Sequence, residues 1–362
     1  MDGSPGRSGR WRPWAHAPVS AAPPPADPSA LFNWRSGPHV VVGGAGFLGS
    51  HICDAIMARG GSVVCVDSLV TGSLANIRHL LGGDGFRFER GDGRSVLDAL
   101  RQDRGLRPAT VWSMASLASP VAYATRPMET LWAGSEVHRA CLEMAADHGA
   151  RVVYTSTSEV YGDPEVHPQT EGYRGSVATT GPRSQYDEAK RFGEAMAMVY
   201  LRTLGLDVRI ARIFNTYGPR MAMDDGRMVP AFLLAALRGA PMRIQGDGSA
   251  TRSLCFVDDM VDGLMRLCAA DLAAIPSPPV VNLGRPDERA VAEVAKLCSD
   301  AMHGEGGRHR VVMVEAAQDD PRRRCPDISL AQAVLSGWRP DIALEEGLRR
   351  TAAWLRTVIV DQ

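Results

Sequence analysis

The sequence predicts an α/β protein: a doubly wound parallel sheet with helices on both faces, then a smaller mixed α/β region toward the C-terminus. Two observations predict it. Five short runs rich in β-branched residues alternate with helix-length segments, and most of these runs are apolar throughout, as in strands covered on both faces. The first run leads through a glycine cluster directly into a helix-forming segment.

The elements can be justified in order. Residues 1–37 are rich in Pro, Ala, Gly, Ser and Arg and lack an apolar h-region, so a disordered tail is expected there rather than a signal peptide. From residue 38 to 205 we expect a Rossmann-type dinucleotide-binding domain. "HVVVGGAGFLGSHICDAIMARG" reads as strand, turn and helix, followed by the strands "SVVCVD", "FRFERGD", "ATVWSMAS" and "ARVVYTST". Helices are expected over 94–104, 128–149 and 184–204, and a strand return, "DVRIARIF", over 207–214. Residues 215–362 are less regular. Helices over 228–238, 257–269, 288–302 and 344–358, separated by Gly/Pro turns, are expected to form a substrate-binding region. No internal repeat is evident.

Composition narrows the function. The 40 basic and 41 acidic residues give a net charge of −1, which disfavours nucleic acid or an anionic membrane as the main partner. No run approaches the ~18 apolar residues of a membrane helix. The seven cysteines are scattered and odd in number, pointing to reduced thiols in a cytoplasmic setting. The nine histidines show no metal-binding spacing, so no metal is expected.

Two constellations carry chemistry. In "GGAGFLG", Gly43, Gly46 and Gly49 stand between strand and helix, where bare backbone can approach a pyrophosphate at a helix N-terminus. Phe47, Leu48, Thr71, Gly72 and Ala115 are further candidates for contact with the cofactor. Asp67, at the end of the second strand, suits the hydroxyls of an adenosine ribose and therefore NAD. Asp92 is either an adenine contact or a turn residue. In "YDEAK", Tyr186 and Lys190 share a helix face at i and i+4. A neighbouring ammonium and a cationic nicotinamide both favour the phenolate, so Tyr186 could take a hydroxyl proton near neutral pH.

With "STSEVYGDPEVHPQ", "YDEAKR", "RIFNTYGPRM", "DGRMVPAF", "AQDDPRRRCPDI" and "LEEGL", the chain resembles the extended short-chain dehydrogenase/reductase family of nucleotide-sugar enzymes from about Val40 to Leu355. It is most similar to its UDP-glucuronate decarboxylases. That resemblance implies decarboxylation of UDP-glucuronate to UDP-xylose through a 4-keto intermediate, with NAD regenerated. It also implies catalytic roles for Thr157, Ser158, Glu159, Tyr186, Lys190 and Arg324; for Arg324 the alternative is one of three solvated arginines. Related dehydratases read Thr-Asp-Glu, where the Asp helps expel a hydroxyl; Thr157-Ser158-Glu159 lacks that acid, and epimerases usually lack the Glu. The resemblance further places Tyr123, Tyr200, Asn215, Val229, Phe232 and Arg252 on the nucleotide sugar, and Thr216 and Arg227 on the nicotinamide side. It implies a homodimer through the helices at 128–149 and 184–204.

The chain also departs from the family pattern. A Lys-Thr-Asn run is replaced by Trp132-Ala133-Gly134, and a later Asn by Ala140. Ala222, Ser68 and Val42 replace a His, an Asn and a Thr. The alternatives are a 4-epimerase or 4,6-dehydratase, a decarboxylase for a modified nucleotide uronate, or a non-catalytic NAD and nucleotide-sugar sensor. Gly134 inside a helix costs about 1 kcal/mol against Ala, so it either serves close packing or is merely tolerated.

Overall fold

The computed structural model describes residues 27–306, 310–315 and 323–360. Seven parallel strands form the central sheet: β1 (Pro38–Val42), β2 (Ser62–Asp67), β3 (Phe86–Arg90), β4 (Thr110–Ser113), β5 (Arg151–Thr157), β6 (Val208–Ile213) and β7 (Val280–Leu283). Their order is β7-β6-β5-β4-β1-β2-β3. The order reverses beside β1, so the crevice at the carboxyl ends of β1 and β4 is the natural ligand position of this topology.

Side chains alternate across the sheet and build two cores. Val41, Trp112, Val153 and Ala211 pack with α1 (Phe47–Ala58) and α7 (Val257–Ala269), burying Ile52, Ile56, Met260 and Leu264. Val40, Val42, Val111, Val152 and Tyr154 face the other way, onto α4 (His138–His148) and α5 (Ser184–Leu204), with α2 (Gly93–Gln102) alongside. A third core joins α6 (Met228–Leu237), α8 (Val291–His303) and α9 (Leu344–Val360) under a parallel pair of strands, 242–245 and 311–314.

Two expectations are corrected. The tail boundary at 37 is too late: Asp27 caps Pro28–Leu31, and Trp34 is buried, its indole N–H donating to Ser29 O at 2.8 Å. Residues 1–26 lie outside the described residues. The 215–362 region is not separate, because β7 returns to the edge of the sheet and α7 packs on its face; β7 is too short and too closely flanked by prolines to read as a strand. The helix expected over 128–149 is present and runs without interruption over 127–148, as α3 (Pro127–Trp132), a π-helical turn (Ala133–Val137) and α4. A Cβ on Gly134 would lie 2.7 Å from Ala189 Cβ, so this glycine serves close packing against α5.

Candidate active site

One cavity of about 1940 Å³ runs across the carboxyl ends of the strands and under the third core. A single small-molecule pocket occupies roughly 300–1,000 Å³, so this volume suits two ligands side by side.

At one end the backbone does most of the work. Gly43 has φ +86°, and a Cβ there would sit 2.8 Å from Ala115 N. A Cβ on Gly49 would sit 2.1 Å from Gly43 O. The start of α1 can therefore lie flat on the turn, with its free N–H groups facing the cavity. Asp67 closes the turn: Oδ2 accepts from Ala45 N at 2.9 Å and Oδ1 from Leu69 N at 2.8 Å. Burial raises its pKa more than these bonds lower it. Gly72 passes so close that its Cβ would be 2.7 Å from Asp67 Oδ1. Asp92 caps α2, accepting from Ser95 N at 3.1 Å, and also lines the cavity. Phe47, Leu48, Thr71 and Ala115 line the same end. Arg227 lies over Phe47, 5.8 Å from the ring centre, and pairs with Asp225. A glycine cradle that any Cβ would fill, beside an acid at the second strand end, fits a dinucleotide.

At the other end side chains converge from distant segments. β5 delivers Thr157, hydrogen-bonded to Tyr186, and Tyr186 stacks on Tyr123 with centroids 5.4 Å apart. Burial pushes the Tyr186 phenol well up, so it is protonated in this state. Lys190 donates to Thr155 O at 2.7 Å. Burial pulls its ammonium down to about 8, against the opposing effect of Glu194. Glu159 is clamped between Arg324 and Arg183. Burial alone would raise its pKa, but Arg324, Arg183 and Arg252 outweigh that and hold it below the usual range. Arg324 is 3% exposed and also donates to Gly162 O at 3.0 Å, which excludes the solvated-arginine reading.

Asn215, Thr216, Val229, Phe232 and Arg252 also line the cavity. Val229 and Phe232 belong to the third core as well. Two expected contacts fall elsewhere. Ser158 is buried behind the wall, accepting from Arg324 at 3.3 Å. Tyr200 packs between α5 and α4 and is influenced by Glu143 and Arg139. It stands 14 residues beyond Tyr186, about 21 Å along a helix rising 1.5 Å per residue.

The sequence reading missed Arg183, although its place three residues before Tyr186 puts it on the same helix face. It missed Arg220, which lines the cavity at φ +69° and pairs with Asp54 at 2.7 Å. Away from the cavity, His167, Glu288 and Cys325 bring potential ligand atoms within 4.8 Å of one another. The Arg323 guanidinium already supplies a cation there, 2.7 Å from His167 Nε2.

With this geometry in view, the comparisons are decisive on family. The family model "NAD dependent epimerase/dehydratase family" matches residues 39–284. The chain belongs to the NAD dependent epimerase/dehydratase family. It is 42% identical over 323 residues to UDP-glucuronic acid decarboxylase 1 of Xenopus tropicalis, covering 89% of this chain and 73% of that one. It is also 42% identical over 330 residues to UDP-glucuronic acid decarboxylase 6 of Arabidopsis thaliana, covering 90% and 92%. Among solved structures, the UDP-glucose 4-epimerase of Thermotoga maritima with UDP-glucose superposes with TM-score 0.79 at 26% identity, covering 89% and 99%. The dTDP-glucose 4,6-dehydratase DesIV of Streptomyces venezuelae, with NAD bound, gives 0.77 at 28%, covering 88% and 97%. NAD is the cofactor of this family, and the glycine cradle with Asp67 is where this chain would hold it. Among the described residues, no helix is long and apolar enough to cross a membrane.

Proposed function

We propose that this protein is a UDP-glucuronate decarboxylase that makes UDP-xylose through a 4-keto intermediate. The observation that carries the reading is the clamped Glu159. Two arginines keep it ionised, and the buried Ser158 stands where a dehydratase would need an acid to expel hydroxide as water. Elimination has no proton donor at that position, whereas loss of CO₂ needs none at the leaving group.

The chain's residues divide the work as follows. The glycine cradle and Asp67 would hold NAD, which would supply a reversible hydride acceptor for C4 of the sugar. Tyr186 removes the O4 proton as the ketone forms and gives it back afterwards. Burial raises its phenol, so it needs Lys190 and the cofactor's positive charge close by to act near neutrality. Thr157 donates to the developing oxyanion at O4. The 4-ketone then lies β to the C5 carboxylate and accepts its bonding electrons as CO₂ departs. Arg324, Arg183 and Arg252 outnumber Glu159, and that surplus of positive charge favours an acidic sugar.

Incubation with UDP-glucuronate carrying deuterium at C4, with NAD⁺, tests the reading. UDP-xylose retaining deuterium at C4 is the expected product; an unchanged hexuronate or loss of the label would overturn it. One observation favours a modified uronate as substrate: Trp132 lines the cavity and is 53% exposed, so its indole offers an apolar face to the sugar site. A panel of nucleotide uronates separates the two readings by relative kcat/KM.

We also propose a cytosolic homodimer. All seven cysteines are free and buried, in keeping with a reducing compartment. Met128, Phe192 and Val199 leave an exposed apolar surface on α3 and α5, and a second copy would cover it. Light scattering of the purified protein and of Phe192→Glu checks the association.

A further inference from the structure

Turning a nucleotide uronate into a pentose consumes one proton. The C5–carboxylate bond breaks, CO₂ leaves, and the bonding pair moves into the ketone as an enolate. A new C–H bond must then form at C5. The proton that Tyr186 takes from O4 returns to O4 when the ketone is reduced, so it cannot serve C5. Glu159 lines the cavity, but its arginine partners hold it ionised. The scheme so far is one proton short.

Asp187 is the buried acid that this scheme leaves unused. It follows Tyr186 in the first turn of α5, is 8% exposed and lies outside the cavity lining. Its Oδ1 has no hydrogen-bond partner. An ionised oxygen left in that position is costly, and a proton removes much of the cost. Four charged groups act on it: Glu159 and Glu188 oppose its charge, Arg183 and Arg324 favour it. The helix start also favours the anion. Burial and Glu159 prevail and push the carboxyl up to about 7, so it can both hold and release a proton at neutral pH.

We propose that Asp187 is the proton reservoir for C5, passing its proton to Glu159, which delivers it to the enolate carbon from the cavity wall. This rests on the decarboxylase reading. Each turnover moves one proton from Asp187 to Glu159 and from Glu159 to C5, and solvent water recharges Asp187. Glu159 is a fitting last carrier, because a carboxyl flanked by guanidinium groups is a strong acid whenever it does hold a proton. Asp187 acts through Glu159 and not on the sugar itself, so it is a positioning residue.

The test uses the full-length enzyme with NAD⁺ and UDP-glucuronate, following both turnover and bound NADH by its absorbance across neutral pH. In Asp187→Asn, oxidation and CO₂ loss still proceed but protonation stalls. Turnover is expected to fall by about 10²–10⁴-fold, the usual scale for general acid catalysis, while NADH accumulates. Asp187→Glu should restore most of the turnover. Normal turnover in Asp187→Asn, or lost turnover without NADH build-up, overturns the proposal. Should that variant fail to fold, the wild type decides: bound NADH rising with pH above neutrality supports the reservoir, and a constant level refutes it. If the wild type releases no CO₂ from UDP-glucuronate, the decarboxylase reading itself fails, and this inference falls with it.

Discussion

The two ends of the cavity are built by different means. The dinucleotide end is made of backbone: Gly43 and Gly49 leave room for it, and Asp67 spends its oxygens bracing the turn. The sugar end is made of charge, with Glu159, Arg183, Arg252 and Arg324 arriving from four separate segments. Backbone recognition depends on the absence of atoms and tolerates no additions. Charge recognition depends on balance and tolerates no deletions. The same distinction explains why relatives with different reactions share this fold. The dinucleotide end suits any member of the family, and a few side chains at the other end decide which bond breaks.

Four perturbations sharpen the contrast. The largest effect is expected from Tyr186→Phe, which removes the proton acceptor and leaves the glycine cradle intact. Turnover should drop about 10²–10⁴-fold, while NAD⁺ affinity, measured by calorimetry, stays within a few-fold. Arg324→Met should come next. It leaves Glu159 short of one partner in a buried setting, and breaking such a pair costs about 3–5 kcal/mol, readable in urea unfolding. Comparable stability in wild type and Arg324→Met would mean that Arg183 alone suffices.

Gly134→Ala discriminates between helix propensity and packing. Propensity predicts a gain of about 1 kcal/mol. The approach of Ala189 Cβ and Ala189 O, at 2.7 and 2.9 Å, predicts instead a loss of about 1–3 kcal/mol. The smallest effect concerns acid. Glu159 titrates below its ordinary value of 4.5 in the folded protein, so the unfolded chain takes up its proton first as pH falls. The stability from its arginine clamp is complete above that ordinary value and is lost as pH drops through the lower folded value. Melting curves through the acid range should show this loss in the wild type and a shallower slope in Glu159→Gln.

Much of the dinucleotide end was legible in the sequence, because its information is local. A glycine turn between a strand and a helix, with an acid at the next strand end, lies within one βαβ unit. Tyr186 and Lys190 were legible for the same reason, through helical spacing. The arginine clamp was not, since nothing in a one-dimensional reading brings Arg183 to Glu159, and only the resemblance pointed to Arg324. Tyr200 went wrong because matching a motif position ignores the length of the helix between it and the cavity. The π-helical turn was invisible because each of its residues is an acceptable helix former except Gly134, whose meaning depends on Ala189. The docking of residues 27–37 rests on Trp34 and a few backbone bonds, too little to stand out in a Pro- and Ala-rich stretch.

The last strand of the sheet has a consequence for how the protein is made on the ribosome. β6 ends at Ile213, and its outer neighbour β7 begins only at Val280. Buried Arg209 on β6 likewise waits for the carbonyls of Leu267 and Cys268. With synthesis at ~5–20 residues per second, the nascent sheet keeps a bare edge, and a guanidinium partnered only by its neighbour Asp207, for roughly 3–14 seconds. During that interval the growing chain is at its most vulnerable to pairing with a neighbour, and chaperone occupancy should peak there.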